Sequence, residues 1–181
     1  LLGRLSAFGL ELDPKDARVA SLLDLIKERE HLGYSYDGAE ASLEMLVRNT
    51  LGQSIKFFSV DGFRVSVERR HNALGQEISV SEAVVKVVVD GERIMNVGEG
   101  NGPVNALDNA LRKDLGRYSA WLEDLKLVDY KVRILTAGTE AVTRVMIESA
   151  DDSGHRWSTV GVSANIVDAS FEALIDSITY K

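Results

Sequence analysis

The sequence has no cysteine among its 181 residues, which excludes disulfide bonds and thiolate metal sites but leaves the redox compartment open. Its three histidines fall in no H-x-H or H-E-x-x-H spacing, so we predict no metal site. No apolar run approaches the roughly 18 residues of a membrane-spanning helix, and no signal peptide pattern opens the chain. The net charge of −7 argues against a nucleic-acid surface. We therefore expect a cytoplasmic protein that binds neither nucleic acid nor membrane.

What the sequence does contain is an internal repeat in its second half. Two apolar, strand-like runs and a glycine-containing turn that leads into a helical pattern all occur twice. The matching segments are 83–90 with 141–148, 97–111 with 160–174, and, ahead of each copy, 62–67 with 130–134. Repeats of this kind set the architecture, and two copies are too few for a solenoid. We expect one pseudo-symmetric domain with a ligand or partner at the seam between its copies.

Residues 1 to about 51 have the period of helices. Asp13 before Pro14 predicts a helix start, and Gly33 a helix end. A further helix is predicted over about 38–51, and Gly9 ends a shorter one. The residues predicted to face inward are Val19, Leu22, Leu23, Ile26, Ala41, Met45 and Leu46. The segment is too thin to hold a core alone, so we interpret it as a connector.

From about residue 52 the apolar period changes to two, which is typical of strands. The pairs Asp61-Gly62 and Asp90-Gly91 predict tight turns between antiparallel strands. Residues 83–89 are apolar on both strand faces except at Lys86, so this strand needs cover on both sides. One helix per repeat covers one face, and a second sheet from the other repeat or from a partner chain would cover the other. We take this as an indication of a homodimer.

These patterns predict an α+β fold, with two strand-strand-strand-helix repeats forming antiparallel sheets after a helical linker. We place the domains at 1–51 (linker) and 52–181 (repeats about 54–118 and 125–181). Because the chain opens Leu1-Leu2 without a methionine, we expect it to begin inside a longer protein.

The run from Gly98 to Pro103 ends a predicted strand and opens a helix. Closely spaced glycines before a helix leave N–H groups free to bind an anion, reinforced by the helix dipole. A nucleotide site is excluded because the Walker Lys-Ser/Thr is missing and the run follows a hairpin rather than a parallel unit. Two interpretations stay open. The turn is either a nest for a small carboxylate or phosphate, or a tight turn that needs glycine for steric reasons alone.

The equivalent turn of the second repeat, Gly161 to Asn165, comes close to the G-x-S-x-G nucleophile elbow, with Ser163 at its centre. His155 is the only base candidate nearby in the sequence. A small hydrolase is therefore an alternative hypothesis, although nothing else assembles an acid, a base and a nucleophile. We predict no catalytic residue in this chain.

Five segments of the chain carry a specific resemblance: 26–42 (IKEREHLGYSYDGAEAS), 98–115 (GEGNGPVNALDNALRKDL), 127–135 (LVDYKVRIL), 138–141 (GTEA) and 157–170 (WSTVGVSANIVDAS). In this order they resemble the C-terminal linker and regulatory domain of the 2-isopropylmalate synthase and citramalate synthase family. Asp37 stands where that family usually has a glutamate. The segments 61–68, 128–135 and 157–170 look more like the citramalate synthase branch.

The resemblance implies a part of an acyltransferase that condenses acetyl-CoA with a 2-keto acid. In that family a TIM barrel holds the acetyl-CoA and a divalent metal, and no barrel segment is present here, so this chain should be inactive alone and hold no cofactor. The linker helices join the barrel to the regulatory domain, which dimerises and binds the end-product amino acid. The effector is isoleucine in typical citramalate synthases, which we favour, and leucine in isopropylmalate synthases.

The resemblance also implies an effector site. The first turn would bind the carboxylate through free N–H groups, Asn105 or a backbone carbonyl would take the ammonium, and apolar strand residues would hold the branched side chain. Leu127 and Tyr130 lie on opposite faces of an ideal strand, so we expect a bulge or chain end there. The predicted site residues are Gly100, Gly102, Pro103, Val104 and Asn105 at the turn, Leu127, Tyr130 and Ile134 on the following strand, Ala141, and Ile166. A purely structural dimerisation module is the alternative of another class.

Overall fold

The computed structural model of the chain describes residues 2–10, 13, 15–53, 56–138 and 141–181. Two three-stranded antiparallel sheets are each followed by a helix, and further helices precede the first sheet, so the predicted fold class is confirmed. The elements are α1 (Leu2–Ala7), α2 (Ala17–His31), α3 (Glu40–Thr50), β1 (Phe58–His71), β2 (Glu77–Val89), β3 (Glu92–Gly100), α4 (Pro103–Lys113), a 3₁₀-helix (Gly116–Leu122), β4 (Lys126–Ile134), β5 (Thr143–Ala150), β6 (Arg156–Ser163) and α5 (Ile166–Tyr180).

The described residues form two compact units. The first-repeat unit comprises 56–125 with Lys181, and the second-repeat unit comprises the helical segment and the second repeat, 1–55 with 126–180. The helical segment therefore makes its contacts mainly with the second repeat. The domain boundary predicted between residues 51 and 52 stays a prediction.

In the first-repeat unit the strand order is β1-β2-β3, and α4 packs on one face of β2 and β3. Alternate residues of β2 are buried on that face because a strand turns successive side chains to opposite sides. Lys86 points to the other face and is exposed. The buried apolar residues from β2 and α4 are Ala83, Val85, Val87, Val89, Ala106, Leu107, Ala110 and Leu111.

Of the two predicted tight turns in this unit, one is confirmed and one is wrong. Asp90 (φ 51°) and Gly91 (φ 84°) connect β2 to β3, with the positive φ angles of a two-residue hairpin. Asp61-Gly62 lies instead inside β1, where the pairing with β2 shifts register between Val60 and Gly62. Because β1 pairs with β2 on both sides of this point, the pair forms a β-bulge rather than a turn.

In the second-repeat unit the strand order is β4-β5-β6, with α5 packed against β5 and β6. The helical segment packs against the same repeat, with α3 contacting both β6 and α5. The shared core cluster consists of Leu5, Leu22, Tyr36, Ala39, Leu43, Val47 and Val160. Although it is thin by itself, the segment builds a core because β6 supplies the missing apolar surface.

The start of α2 differs from the sequence prediction. Helix α2 begins at Ala17 rather than after Asp13, because Asp16 accepts a hydrogen bond from the Arg18 N–H (2.9 Å) and so acts as the N-cap. Pro14 lies outside the described residues. The predicted end is confirmed, since α2 stops at His31 and Gly33 has a φ of 110°.

The predicted inward faces are partly right. Val19, Leu22 and Ala41 are buried as expected, whereas Leu23 is exposed. Ile26 and Leu46 are partly buried and pack against the core cluster. Met45 is partly buried, while Leu43 and Val47 take the fully buried positions of α3. Helix α3 is therefore rotated relative to the face inferred from its sequence.

Candidate functional site

The first-repeat turn connects β3 to α4 and contains two glycines that a larger residue could not replace. A Cβ at Gly98 would lie 2.6 Å from the Ala106 carbonyl oxygen, and one at Gly100 would lie 2.5 Å from the Ala106 nitrogen. Real Cβ atoms do not make such contacts, so these glycines let the strand approach the helix closely. The steric interpretation of the turn therefore holds for Gly98 and Gly100.

Gly102 differs from both, because a Cβ there would meet no atom within 4 Å. It is the N-cap residue of α4, and no side chain caps this helix. Pro103 occupies the first turn, as predicted. The Asn105 side chain is turned back on the loop, where its Oδ1 accepts a hydrogen bond from the Asn101 N–H (3.1 Å). Open space and an uncapped N-terminus thus coincide at Gly102.

The second-repeat turn is closed by its own side chains. Asn165 Oδ1 accepts a hydrogen bond from the Val167 N–H (2.8 Å), which caps α5. The Asn165 N–H donates to Ser163 Oγ (3.1 Å). Asn165 occupies the repeat position of Gly102, so the two turns share a backbone path but differ in how their helix N-termini are satisfied.

Ser163 and His155 do not form a catalytic pair. They lie at opposite ends of β6, and eight strand residues span roughly 26 Å at about 3.3 Å each. The His155 ring stacks instead on Trp157 and Tyr180. The hydrolase hypothesis therefore lacks the base that it needs.

Strand β4 carries most of the predicted apolar residues. Its pairing with β5 shifts register between Leu127 and Asp129, as the bulge prediction required. Leu127 pairs with Ser149, and Tyr130 pairs with Ile147. Because Ser149 and Ile147 are two residues apart, Leu127 and Tyr130 point to the same face of the sheet.

The N-terminal turn of α5 lies on this same face. Ser170 Oγ donates to the Ile166 carbonyl (2.6 Å), so the Tyr130 hydroxyl must be the donor in its 2.8 Å bond to Ser170. This face of β4 bears three exposed apolar side chains, Leu127 (37% exposed), Val132 (41%) and Ile134 (69%), and Ile166 (44%) is exposed at the start of α5. We call these four residues the β4 stripe. Ala141 lies just before β5 and is half-buried.

The predicted site residues are thus distributed over both units. Gly100, Gly102, Pro103, Val104 and Asn105 lie in the first-repeat unit, and Leu127, Tyr130, Ile134, Ala141 and Ile166 lie in the second-repeat unit. Their joint role in binding an effector stays a prediction.

A polar cavity inside the second-repeat unit was not found by sequence analysis. It has a volume of about 90 Å³, and its walls come from α2, the loop after it, α3, β6 and α5. The signal was Glu172 with Asp176, two carboxylates one turn apart on α5. The lining residues are Arg29, Tyr34, Tyr36, Ser42, Met45, Leu46, Asn49, Val160, Glu172 and Asp176.

Hydrogen bonds and burial fix the side chains of this cavity. The Tyr34 hydroxyl donates to both Glu172 carboxylate oxygens (2.6 and 2.7 Å). Burial, followed by the Glu172 hydrogen bond, raises the pKa of Tyr34 above its usual value. Burial also raises the pKa of Tyr36 to about 12 and that of Asp176 to about 6. The two tyrosines therefore stay protonated near neutral pH, and Asp176 is the group whose shifted pKa suits a proton-linked role.

Among the described residues, no group of three or more His, Cys, Asp or Glu side chains could hold a metal ion. In the same part of the chain, no helix is long and apolar enough to cross a membrane.

Comparisons with known proteins agree with this architecture. A family model described as the LeuA allosteric (dimerisation) domain matches residues 37–181. The chain is 50% identical over 183 residues to an (R)-citramalate synthase of Geobacter sulfurreducens, covering 100% of this chain and 34% of that protein. The (R)-citramalate synthase of Aquifex aeolicus is 45% identical over 183 residues (100% and 34%), and that of Synechocystis is 43% identical over 182 residues (99% and 33%). The chain spans about a third of the length of these curated relatives.

Proposed function

The chain belongs to the LeuA allosteric (dimerisation) domain family, and we propose on that basis that it is the feedback sensor and dimerisation module of a citramalate synthase. In this proposal it forms a homodimer in the cytoplasm and binds a branched-chain amino acid. Binding favours one arrangement of the dimer, and the helical segment passes that bias to the catalytic part. The family match supports the regulatory role, the relatives' names support the kind of enzyme, and the two features below support the ligand.

The open Gly102 turn supports recognition of the effector carboxylate. Gly102 has no steric reason to be a glycine, unlike Gly98 and Gly100. The N-terminus of α4 has no side-chain cap, so its backbone N–H groups remain available to an anion. This coincidence is the single observation on which the carboxylate assignment depends.

The β4 stripe supports recognition of an aliphatic side chain. Exposed isoleucine and leucine side chains on one face lose contact with water when a branched ligand covers them, and such burial contributes about 25 cal/mol per Å². Ile134 is the most exposed member of the stripe. Isoleucine is the favoured effector and leucine the alternative. Because the two differ only in a branch point, an apolar slot separates them by about 1–3 kcal/mol.

Titration calorimetry of the chain with isoleucine and then leucine tests the proposal. We expect saturable heat with both and a lower Kd for isoleucine. Tighter binding of leucine would assign the chain to the isopropylmalate synthase branch. Absence of heat with either amino acid would refute effector binding by this chain.

Substitution of Gly102 by valine tests the carboxylate assignment directly. The added side chain fills the open space before α4, so we expect effector binding to be lost while the dimer persists in light scattering. Gly62→Val is the matched control, because a Cβ at Gly62 also meets no atom within 4 Å and its φ is not positive. Equal binding by both variants would contradict the assignment.

A structural dimerisation module without an effector is the second candidate. The steric need for Gly98 and Gly100 favours it, because that need explains most of the turn without any ligand. Under this hypothesis Gly102→Val changes neither calorimetric heat nor association. A dimer that gives no heat with either amino acid would support it.

Acyl transfer belongs, in our proposal, to the remainder of such an enzyme, since the chain spans about a third of its relatives. Acetyl-CoA and a divalent metal would bind in that remainder. The chain alone is expected to show no synthase activity.

A further inference from the structure

Ser42 forms a hydrogen-bonded link across three elements of the second-repeat unit. Its hydroxyl on α3 donates to Asp176 Oδ2 on α5 (2.6 Å) and accepts from the Val160 N–H on β6 (3.0 Å). Strand β6 is an edge strand, so the Val160 N–H that bonds Ser42 does not pair with another strand. The side chain of Ser42 thus connects the helical segment to both the sheet edge and the last helix.

The side chains around this hydrogen-bonded link carry more negative than positive charge. Arg29 of α2 is 3.4 Å from Glu172, which also accepts from the Tyr34 hydroxyl and the Val162 N–H (3.0 Å). Asp176, one turn later on α5, receives its side-chain hydrogen bond from the neutral Ser42 hydroxyl. Two carboxylates therefore face one guanidinium, and that guanidinium contacts Glu172.

The other elements around Asp176 bring no free cation among the described residues. The loop after α2 contributes the tyrosine rings of Tyr34 and Tyr36, and β6 contributes Val160. Helix α3 contributes Ser42, Met45, Leu46 and Asn49 to the cavity, and its Glu44 is paired with Arg48 (2.6 Å). Burial first, and then the Glu172 charge, raises the pKa of Asp176 to about 6.

We propose that the Ser42–Asp176 contact is a proton-operated latch that fastens α3 to α5 and to the edge of β6. The latch is closed when Asp176 is neutral and loosens when it is charged. A neutral carboxyl group still accepts the Ser42 hydroxyl and is not repelled by Glu172. A charged Asp176 carboxylate is instead buried away from water and beside the Glu172 carboxylate. This burial costs free energy, which is recovered when the helices separate and water reaches the charge.

The direction of the pH dependence follows from linkage. With the latch open, Asp176 is hydrated and its pKa returns toward the ordinary 3.8, whereas in the closed latch the pKa is about 6. Opening therefore releases a proton between about pH 4 and pH 6, so the opening equilibrium rises with pH in that window and levels off above it. The total change is on the order of 100-fold, of which about tenfold falls between pH 5 and pH 7.5.

Amide exchange at Val160, measured by NMR on the full chain, tests the latch, because Ser42 Oγ is the acceptor of this N–H. After correction for the intrinsic exchange rate, we expect Val160 protection to fall about tenfold from pH 5 to pH 7.5. Asp176→Asn should keep the protection equal at both pH values. Asp168→Asn, on an exposed position of the same helix, should behave as the wild type.

Three results would overturn the latch. The first is wild-type protection of Val160 that does not change with pH, and the second is a pH dependence that survives in Asp176→Asn. The third is a carboxyl ¹³C titration of wild-type Asp176 with a midpoint near 4. This titration needs no variant, so it decides the question even if Asp176→Asn folds poorly.

Discussion

Gly161 on β6 lies directly against the backbone of Ala169 on α5. A Cβ at Gly161 would overlap the Ala169 carbonyl oxygen and lie 3.0 Å from the Ala173 nitrogen. The helix can therefore approach the strand this closely only because residue 161 has no side chain. Gly98 has the same relationship to Ala106 and Ala110 in the first repeat.

Gly161→Ala should consequently destabilise the chain. The nearest atoms belong to backbone and cannot rotate away, so we expect a loss of about 3 kcal/mol or more in the free energy of unfolding. Urea denaturation followed by circular dichroism measures it. Gly102→Ala is the control, since nothing lies within 4 Å of its Cβ, and a change comparable to that of Gly161→Ala would contradict the packing.

Tyr34→Phe should weaken the contact between the loop after α2 and α5. The substitution keeps the ring but removes the hydroxyl that donates to both oxygens of Glu172. A hydrogen bond to a charged group contributes about 1.5–3 kcal/mol, and we expect a loss in that range. Thermal unfolding would measure it, with Tyr118→Phe as the comparison.

The Tyr118 hydroxyl accepts a hydrogen bond from the exposed Arg117, so its removal should change stability by less than about 0.5 kcal/mol. Equal losses for Tyr34→Phe and Tyr118→Phe would show that the Glu172 contact does not stabilise the fold.

Asn165→Ala should remove the cap of α5. The Asn165 Oδ1 accepts the Val167 N–H, and loss of such a cap costs about 1 kcal/mol. Asn101→Ala is the matched control, because Asn101 lies in the equivalent turn and donates there through its backbone N–H, which the substitution keeps. A loss for Asn101→Ala as large as that for Asn165→Ala would argue against a specific capping role.

The two tryptophans should differ in fluorescence. Trp157 is 5% exposed and its indole N–H donates to the Ser177 carbonyl (3.1 Å), whereas Trp121 is 70% exposed. Trp121→Phe should leave a blue-shifted emission that acrylamide quenches poorly, and Trp157→Phe should leave a red-shifted, readily quenched one. Similar quenching of the two variants would contradict these exposures.

Much of the fold could be predicted from the sequence because the information is local. The internal repeat, the period-two strands and the Asp90-Gly91 pair each act through neighbouring residues, and the structure confirms them. The bulge expected between Leu127 and Tyr130 came instead from the family resemblance, which places both side chains in one site, and the structure confirms it. The prediction of a turn at Asp61-Gly62 was wrong, because this dipeptide also occurs in a β-bulge, where the strand stays paired on both sides of it.

The repeated strand-strand-strand-helix units, the absence of thiolate sites and the positions of both glycine turns follow from the amino-acid sequence alone. Tertiary structure alone decided which glycines are steric, because the distance from Gly98 to α4 depends on helix packing. It also decided that the helical segment shares a core with β6, and that Ser42, Glu172 and Asp176 meet in one cavity. Ser42 and Asp176 are 134 positions apart. No local pattern records such a contact, because only the packed fold brings these residues together and removes the water that would otherwise separate them.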